Sequence, residues 1–427
     1  MDLIITTGII VLLLLFLSGA PLAIALCIGG GFIAHFHIGL PVSALAQISF
    51  SSISSYPLLA MPFFILAGNI ILRSGCMEQL RDFMQAMVGH WPGGLSVAAI
   101  IFAAFLGSIS GSAAACLAIL GIVIVPLLVD AGYDRAFAAG LSVTSAELGL
   151  LIPPSLFFII FGAMNRVSIA DLFLAGVGPG LLCAFLMSLY AIFISKKRKY
   201  PTVKKSTFKI KQQTAFKALP VLLMPVVVLG GIYSGIFSPT QAASVSVVYA
   251  ILIGFFIYGQ LNWEGVLDSA VSTVKLSSMI YFMIIGADIV GKVFAYIEIP
   301  QTIAELVVEQ DLSPLGFLFV VEALLLVMGF FFSSLPMLVI VLPVFLPSVY
   351  ELGIDPVFYG VLAMIVTLIG EITPPMGPQL WMAAPICGEK MGAIAKETWG
   401  FLGAMVLATI LITLFPSIAM FLVNLLA

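Results

Sequence analysis

The residues with the clearest chemical potential in this sequence are serines and glycines that interrupt long apolar runs. They cluster in "LGSISGSAAA" (Leu106 to Ala115) and again in "FFFSSLPML" (Phe330 to Leu338). Hydroxyl and carbonyl oxygens are the ligands that hard cations prefer, so each cluster predicts a place where sodium could bind. The alternative is that small residues only let helices pack closely, which we favour for Ala113 to Ala115. We favour binding for the serines of the two clusters, namely Ser108, Ser110, Ser112, Ser333 and Ser334.

Two Pro-Pro pairs also lie inside apolar runs, in "GLLIPPSLFF" (Gly149 to Phe158) and "GEITPPMGPQ" (Gly370 to Gln379). Proline lacks an N–H donor and clashes with the carbonyl one turn earlier, so a pair must break a helix. The freed carbonyl groups are costly to bury in hydrocarbon. They become useful where they coordinate a cation and where the N-terminus of the new half-helix faces an anion.

The composition indicates which elements must position these residues. The chain has 427 residues, of which 62% are hydrophobic and 9% are charged, and its mean hydropathy is +1.23. A soluble domain carries about 25% charged residues. The apolar runs are continuous and long enough for spans of roughly 20 residues, so they predict transmembrane helices.

Two acidic residues lie close to the predicted breaks. Glu147 precedes Pro153 by six residues, and Glu371 precedes Pro374 by three. A charged residue within a membrane span is costly and is a functional candidate by default. Each glutamate is therefore a candidate ion or proton ligand, with a hydrogen bond to a neighbouring helix as the alternative.

The two halves of the chain are repeats. Residues 112–154 align without a gap on residues 333–375, and 12 of these 43 positions are identical. Seven of the 12 are Pro, Gly, Asp or Ser, which a shared apolar composition does not supply. Each copy also has a Gly-x-Asp turn, in which we expect Asp134 and Asp355 to accept hydrogen bonds from the free N–H groups of the next helix.

The charge distribution predicts the orientation in the membrane. Nine of the 17 Lys and Arg residues lie between Lys196 and Lys217. The positive-inside rule places this basic loop in the cytoplasm, which explains the loop without a nucleic-acid or lipid-headgroup role. Lys and Arg are absent before Arg73 and after Lys396, so we expect both termini on the opposite side.

The sequence resembles the large membrane subunit of the tripartite ATP-independent periplasmic (TRAP) transporters, the DctM-like family. The resemblance is carried by "GSISGSAA…IVPLLVDAGYDRAFAAGLSVTSAELGLLIPPS", by "LPVFLPSVYELGIDPVFYGVL…GEITPPMGP" and by "YPLLAMPFFILAGNIILRSG" (Tyr56 to Gly75). It covers essentially the whole chain. It implies an all-α polytopic membrane protein of the elevator type, with two inverted repeats that each contain a re-entrant hairpin and a broken helix.

The resemblance also implies where the site lies. The tip of the first hairpin (the first tip) would be at 107–112, and the first break at 152–155. The second tip would be near 332–336, and the second break at 373–378. Many family members are expected to carry an acidic residue near the second tip, where this sequence has only serines. The implied sodium- and substrate-binding residues are Gly107, Ser108, Ser110, Gly111, Ser112, Pro153, Pro154, Ser155, Ser333, Ser334, Thr373, Pro374, Pro375, Met376 and Gly377.

The function implied by the resemblance is sodium-coupled import of a small organic acid, such as sialic acid or a C4-dicarboxylate. The implied partners are a small four-helix membrane subunit and a periplasmic substrate-binding protein, in the bilayer of the bacterial inner membrane, with the termini periplasmic. We expect the chain to divide into five ranges. The two transport halves would be 56–165 and 276–385. The scaffold helices would be 1–55, 166–275 with the basic loop 196–217, and 386–427.

Other classes of function are weaker interpretations. The sequence has no GxxxxGK[ST] motif, so we expect no ATP hydrolysis by this chain. A membrane enzyme would need clustered His, Asp or Cys, which we do not find, and a channel fits repeated broken helices less well than alternating access. The nearest alternative is a self-sufficient sodium/dicarboxylate symporter of the same broad fold.

Overall fold

The computed structural model describes residues 3–202, 205–374 and 376–426, and the regular structure of these residues is helical, without a strand. The helices of the first half are α1 (Leu3–Leu17), α2 (Leu22–Phe36), α3 (Val42–Ile53), α4 (Ala60–Arg73), α5 (Cys76–Val88), α6 (Gly94–Ser110), α7 (Ala113–Ile119), α8 (Val125–Asp130), α9 (Arg135–Ala146), α10 (Leu148–Leu151), α11 (Leu156–Asn165) and α12 (Ile169–Lys197). The helices of the second half are α13 (Phe208–Tyr233), α14 (Pro239–Leu252), α15 (Trp263–Tyr296), α16 (Ile299–Glu309), α17 (Pro314–Gly329), α18 (Ser334–Pro336), α19 (Leu342–Glu351), α20 (Pro356–Glu371), α21 (Pro378–Cys387), α22 (Met391–Leu414) and α23 (Ser417–Leu426). Short 3₁₀ and π segments continue some of them, at Tyr56–Leu59, Leu120–Ile124, Ile253–Tyr258 and Met337–Val341.

Both Pro-Pro pairs break a helix, as the sequence predicts. The backbone leaves helical geometry at Ile152, and α11 begins only after Ser155. In the second half α20 ends at Glu371, and α21 begins at Pro378, which has no N–H to satisfy at the start of a helix. Pro375, one of the predicted site residues, lies outside the described residues.

Each broken helix is preceded by a helical hairpin, which is also as predicted. In the first hairpin α6 turns into α7 at Gly111, whose φ of 60° is left-handed and suits glycine. The hydroxyl of Ser112 accepts a hydrogen bond from the N–H of Ala115 and caps α7 (3.4 Å). In the second hairpin the turn lies between Gly329 and Ser334. The return arm of each hairpin contains a π-helical segment, so the two halves share this irregularity too.

Hairpin and broken helix cross at a pair of glycines in both halves. A Cβ atom placed on Gly149 would lie 2.9 Å from the Cα of Gly107, and one on Gly370 would lie 2.6 Å from the Cα of Gly329. These distances are shorter than real Cβ contacts, so the crossings leave no room for a side chain. Because Gly149 and Gly370 are equivalent positions of the sequence repeat, the crossing is a repeated structural feature.

The helices pack in two groups. Helices α12 and α22 pack against each other, and they contact α6, α9 and α20 of the hairpin and broken-helix units. A second group consists of α2, α4, α14 and α15, with α1, α3 and α13 at its edges. The groups meet closely at Gly68 of α4, where an added Cβ atom would lie 3.0 Å from the Cα of Ser110.

A polar cluster ties the start of the basic loop to the first group. Arg198 forms an ion pair with Glu397 (2.8 Å), and the hydroxyl of Tyr200 donates to Asp134 (2.6 Å). Burial and the bond to this carboxylate raise the pKa of the Tyr200 phenol to about 12. The expectation that Asp134 caps α9 is therefore wrong, because its carboxylate accepts a hydrogen bond from the loop tyrosine and none from the start of α9. The same expectation for Asp355 is confirmed, because its carboxylate accepts from the N–H of Val357 (2.7 Å).

Candidate functional site

The two hairpin tips meet at one cavity of about 310 Å³. The first hairpin contributes its turn and the first residues of α7, and the second hairpin contributes Ser333, Ser334 and Leu335. The half-helices α11 and α21 begin at the same cavity, with Leu156 and Pro378 in its lining. Tips and breaks that are about 220 residues apart in the sequence therefore converge on one space.

The carboxylate of Glu371 joins the second break to the second tip. Glu371 is buried at the end of α20, and it accepts a hydrogen bond from the backbone N–H of Ser334. The hydroxyl of Ser334 and the side-chain amide of Gln379 face the same carboxylate. The sequence places no acidic residue within the second tip, but the fold brings one there from the break, and this carboxylate lines the cavity.

Gln379 has one side-chain atom that is left for a ligand. Gln379 is 7% exposed and lines the cavity, and its Oε1 atom is buried without a hydrogen-bond partner among the described residues. An unpaired buried carbonyl oxygen is costly, unless a cation or a donor on a bound molecule satisfies it. Sequence reasoning missed Gln379, although its position directly after the second break was a usable signal.

The predicted residues of the first half divide into those that line the cavity and those that support it. Gly111 and Ser112 line it. Ser108 donates to the carbonyl of Phe105 (2.7 Å), and the hydroxyl of Ser110 stays within the turn, 3.5 Å from the backbone of Ser112. The remaining predicted residues of this half lie outside the lining, at the glycine crossing or in the first break, namely Gly107, Pro153, Pro154 and Ser155.

The predicted residues of the second half divide in the same way. Ser333 and Ser334 line the cavity. The hydroxyl of Thr373 donates to the carbonyl of Ile369 (2.5 Å), so it satisfies the end of α20 and is not free for a ligand. Outside the lining are Pro374, Met376 and Gly377.

Glu147 differs from Glu371. Its side chain is fully buried in the first broken helix, outside the cavity lining, and neither carboxylate oxygen has a hydrogen-bond partner among the described residues. It lies close enough to Glu371 for a charge on one carboxyl group to disfavour a charge on the other. The structure therefore brings both candidate acids into one region, but only Glu371 reaches the cavity and the tip.

Most of the cavity wall is apolar, and sequence reasoning missed this part. The wall comes from the two tips, from the broken helices and from α15, which belongs to the other packing group. Nothing in the sequence of α15 marks it as a wall, because its residues read as an ordinary apolar span. The apolar lining residues are Leu150, Leu156, Phe157, Ile160, Leu276, Met279, Ile280, Leu335 and Met382.

Positive potential in the cavity comes from the backbone. Among the described residues, no Lys, Arg or His lines it. The N-termini of α11 and α21 open onto it, however, and a helix N-terminus carries a partial positive charge and free N–H groups. The cavity can therefore hold a cation on carboxylate, hydroxyl and carbonyl oxygens and an anion at the half-helix N-termini.

Broken half-helices that meet at a shared polar site beside two hairpin tips are the architecture of a secondary transporter. Nine helices among the described residues are long and apolar enough to cross a membrane, so this is a multi-pass membrane transporter. The chain belongs to the family described as "Tripartite ATP-independent periplasmic transporter, DctM component", whose profile matches residues 9–418.

Curated relatives agree with this family, and a solved structure agrees with the fold. The C4-dicarboxylate TRAP transporter large permease protein DctM of Pseudomonas aeruginosa is 36% identical over 383 residues, which cover 90% of each chain. The isethionate TRAP transporter permease protein DctMQ of Oleidesulfovibrio alaskensis is 33% identical over 404 residues, which span 94% of this chain and 64% of that protein. The structure of MtrF from Neisseria gonorrhoeae is similar in fold, with a TM-score of 0.61 at 12% identity over 96% of this chain and 95% of that chain.

Proposed function

We propose that this chain is the large transport subunit of a sodium-coupled TRAP transporter, which imports a small organic acid delivered by a periplasmic binding protein. A small four-helix membrane subunit would complete the complex, with the basic loop 196–217 in the cytoplasm and the termini periplasmic. The observation that carries the proposal is the convergence of both tips and both breaks on one cavity that contains an acidic side chain. Family membership supports the tripartite role.

Sodium coupling is proposed from the groups that line this cavity. Glu371 would repel an anionic substrate placed beside it, because the two like charges would share a space with little water. A cation between Glu371, the tip hydroxyls and the free Oε1 atom of Gln379 would remove that repulsion. Substrate and sodium would then favour each other's binding, which is the thermodynamic basis of symport.

The proposed motion is a displacement of one packing group past the other. Our sequence-based ranges place the moving parts in 56–165 and 276–385. Because α12 and α22 pack against both broken helices, and α4 and α15 pack with the other group, we assign α12 and α22 to the moving body and α4 and α15 to the scaffold. The close contact of Gly68 with Ser110 then lies on the sliding surface, and sodium and substrate would shift the population between two positions.

The test is uptake into proteoliposomes that contain this chain and the small subunit. Uptake of labelled sialic acid, succinate and a 2-oxo acid is measured with and without a sodium gradient and with and without the binding protein. We expect uptake of one acid that requires both the gradient and the binding protein, and that is strongly weakened in Glu371→Gln. Uptake that needs no binding protein would contradict the tripartite role and support a self-sufficient sodium/dicarboxylate symporter.

A further inference from the structure

The wall of the cavity limits the kind of acid that it can hold. Apart from the tip serines, Glu371 and Gln379, the lining is formed by aliphatic, methionine and phenylalanine side chains and by the backbone of the first tip. Phe157 and Ile160 of α11 and Met279 and Ile280 of α15 contribute to this apolar lining. A bound molecule would therefore touch apolar surface over most of its body and would find polar groups only at the tips and at the starts of the half-helices.

The number of carboxylates that the cavity can neutralise is small. Among the described residues no cationic side chain lines it, so an anion must depend on hydroxyls, half-helix N–H groups and a co-bound cation. These groups lie at the tips and at the starts of α11 and α21. A second carboxylate would have to share these few groups or lie against apolar side chains, where it would lose its hydration without a partner, which is expensive.

From these observations we propose that the substrate is a monocarboxylate with an apolar body, such as a branched or aromatic short-chain acid, and not a dicarboxylate or a polyhydroxylated sugar acid. This inference rests on the proposed function, because it assumes that the cavity is the substrate site. Relatives named for C4-dicarboxylate, sialic acid, ectoine and isethionate have 30–36% identity to this chain, so similarity alone does not select a substrate. The apolar lining of the cavity is the observation that narrows the substrate class.

The experiment measures the thermal unfolding midpoint of the purified full-length chain in nanodiscs, in sodium and in potassium. A ligand that binds only the folded state raises this midpoint as its concentration exceeds its dissociation constant. The probes are 4-methyl-2-oxopentanoate, succinate of similar size, N-acetylneuraminate, and the neutral 4-methylpentanol. We expect stabilisation by 4-methyl-2-oxopentanoate in sodium and none by the other three.

The other outcomes show whether the proposed substrate class fails alone or together with the proposed use of the cavity. Stabilisation by succinate or N-acetylneuraminate without an effect of 4-methyl-2-oxopentanoate would overturn the substrate class and leave acid transport standing. Equal stabilisation by 4-methylpentanol would overturn recognition of the carboxylate. Stabilisation by none of the acids would overturn both the substrate class and the use of this cavity.

A variant tests the wall itself. Met279 is 58% exposed on α15 and lines the cavity, so Met279→Arg adds a cation with a small packing cost. The variant is expected to gain stabilisation by succinate and to lose at least part of the selectivity for the monocarboxylate. If this variant does not fold, Met382→Arg on α21, which is 40% exposed in the same lining, provides the same test. Unchanged selectivity in a folded variant would contradict the inference.

Discussion

The carboxylate of Glu371 accepts a hydrogen bond from the backbone N–H of Ser334, and this bond joins the second break to the second hairpin tip. Glu371 ends a helix, and Ser334 begins the return arm of the hairpin 37 residues earlier. The bond places a carboxyl group at a tip whose own polar side chains are hydroxyls. The residue that completes this tip is therefore supplied by tertiary packing.

Glu371→Gln is expected to weaken sodium-dependent uptake strongly. The variant keeps the shape of the side chain but removes the negative charge beside Ser334, and a hydrogen bond to a charged group contributes about 1.5–3 kcal/mol. We expect the sodium concentration for half-maximal uptake to rise by about tenfold or more. Sodium titration of uptake at fixed substrate measures this change.

Glu322→Gln is the matched control. Glu322 lies in the first arm of the same hairpin, and its carboxylate accepts from the hydroxyl of Thr413 (2.7 Å), outside the cavity lining. Its sodium titration should match that of the unaltered protein. Equal loss in both variants would mean that another glutamate in this half matters as much, and would contradict a specific role of Glu371.

Glu147→Met is expected to stabilise the protein and to leave the sodium titration unchanged. Methionine fills a similar volume, and it removes a carboxylate whose oxygens have no partner among the described residues. An unsatisfied buried polar group costs about 1–3 kcal/mol, so the unfolding midpoint should rise. A lower midpoint together with lost sodium dependence would instead identify Glu147 as an ion ligand.

Gly149→Ala is expected to destabilise the first half. The new methyl group would collide with the backbone of Gly107, and overpacking of this kind costs about 1–3 kcal/mol. Gly403→Ala is the control, because Gly403 lies in α22 with open space where its Cβ would be. There alanine should be neutral or stabilising, since it favours the helix. Equal effects of the two substitutions on the thermal midpoint would contradict the tight crossing.

Tyr200→Phe is expected to loosen the start of the basic loop. The variant keeps the ring stacked on Tyr133 (4.2 Å between centroids) and loses the hydrogen bond to Asp134, which we expect to cost about 1 kcal/mol. Folding raises the pKa of this phenol to about 12, so its contribution is complete below the ordinary tyrosine pKa of about 10 and is lost as the pH rises through about 12.

The difference in thermal midpoint between Tyr200→Phe and the unaltered protein should therefore be constant from about pH 6 to pH 9, and it should shrink only at higher pH. Unfolding of both proteins across this pH range measures it. A difference that already vanishes near pH 8 would contradict the Tyr200–Asp134 bond.

Features that depend on local chemistry could be predicted from the sequence. A proline pair breaks a helix whatever its tertiary surroundings are, so both breaks can be predicted without a structure. The hairpin turns can be predicted in the same way from Gly111 and from the serines of the second tip. The repeat could also be predicted, because the two halves share Gly, Pro and Asp at equivalent positions, and a shared apolar composition does not explain such matches.

Features that depend on distant contacts could not be predicted. The role of Glu371 requires the second hairpin to return to the end of α20, and the apolar wall requires α15 to line the same cavity as α11. Asp134 illustrates the same limit: its turn has the pattern of a helix cap, but a tyrosine from the basic loop reaches its carboxylate. In each case the partner comes from a part of the chain that the local pattern does not contain.

The anchoring of Tyr200 to Asp134 sets a length scale for the proposed transport motion. The group of helices that contains Asp134 holds the loop at Tyr200, and the next helix, α13, begins at Phe208, eight residues later. An extended chain spans at most about 3.3–3.6 Å per residue, so the two points can never be more than about 29 Å apart. This short connection therefore limits how far the two groups of helices could separate in the proposed motion.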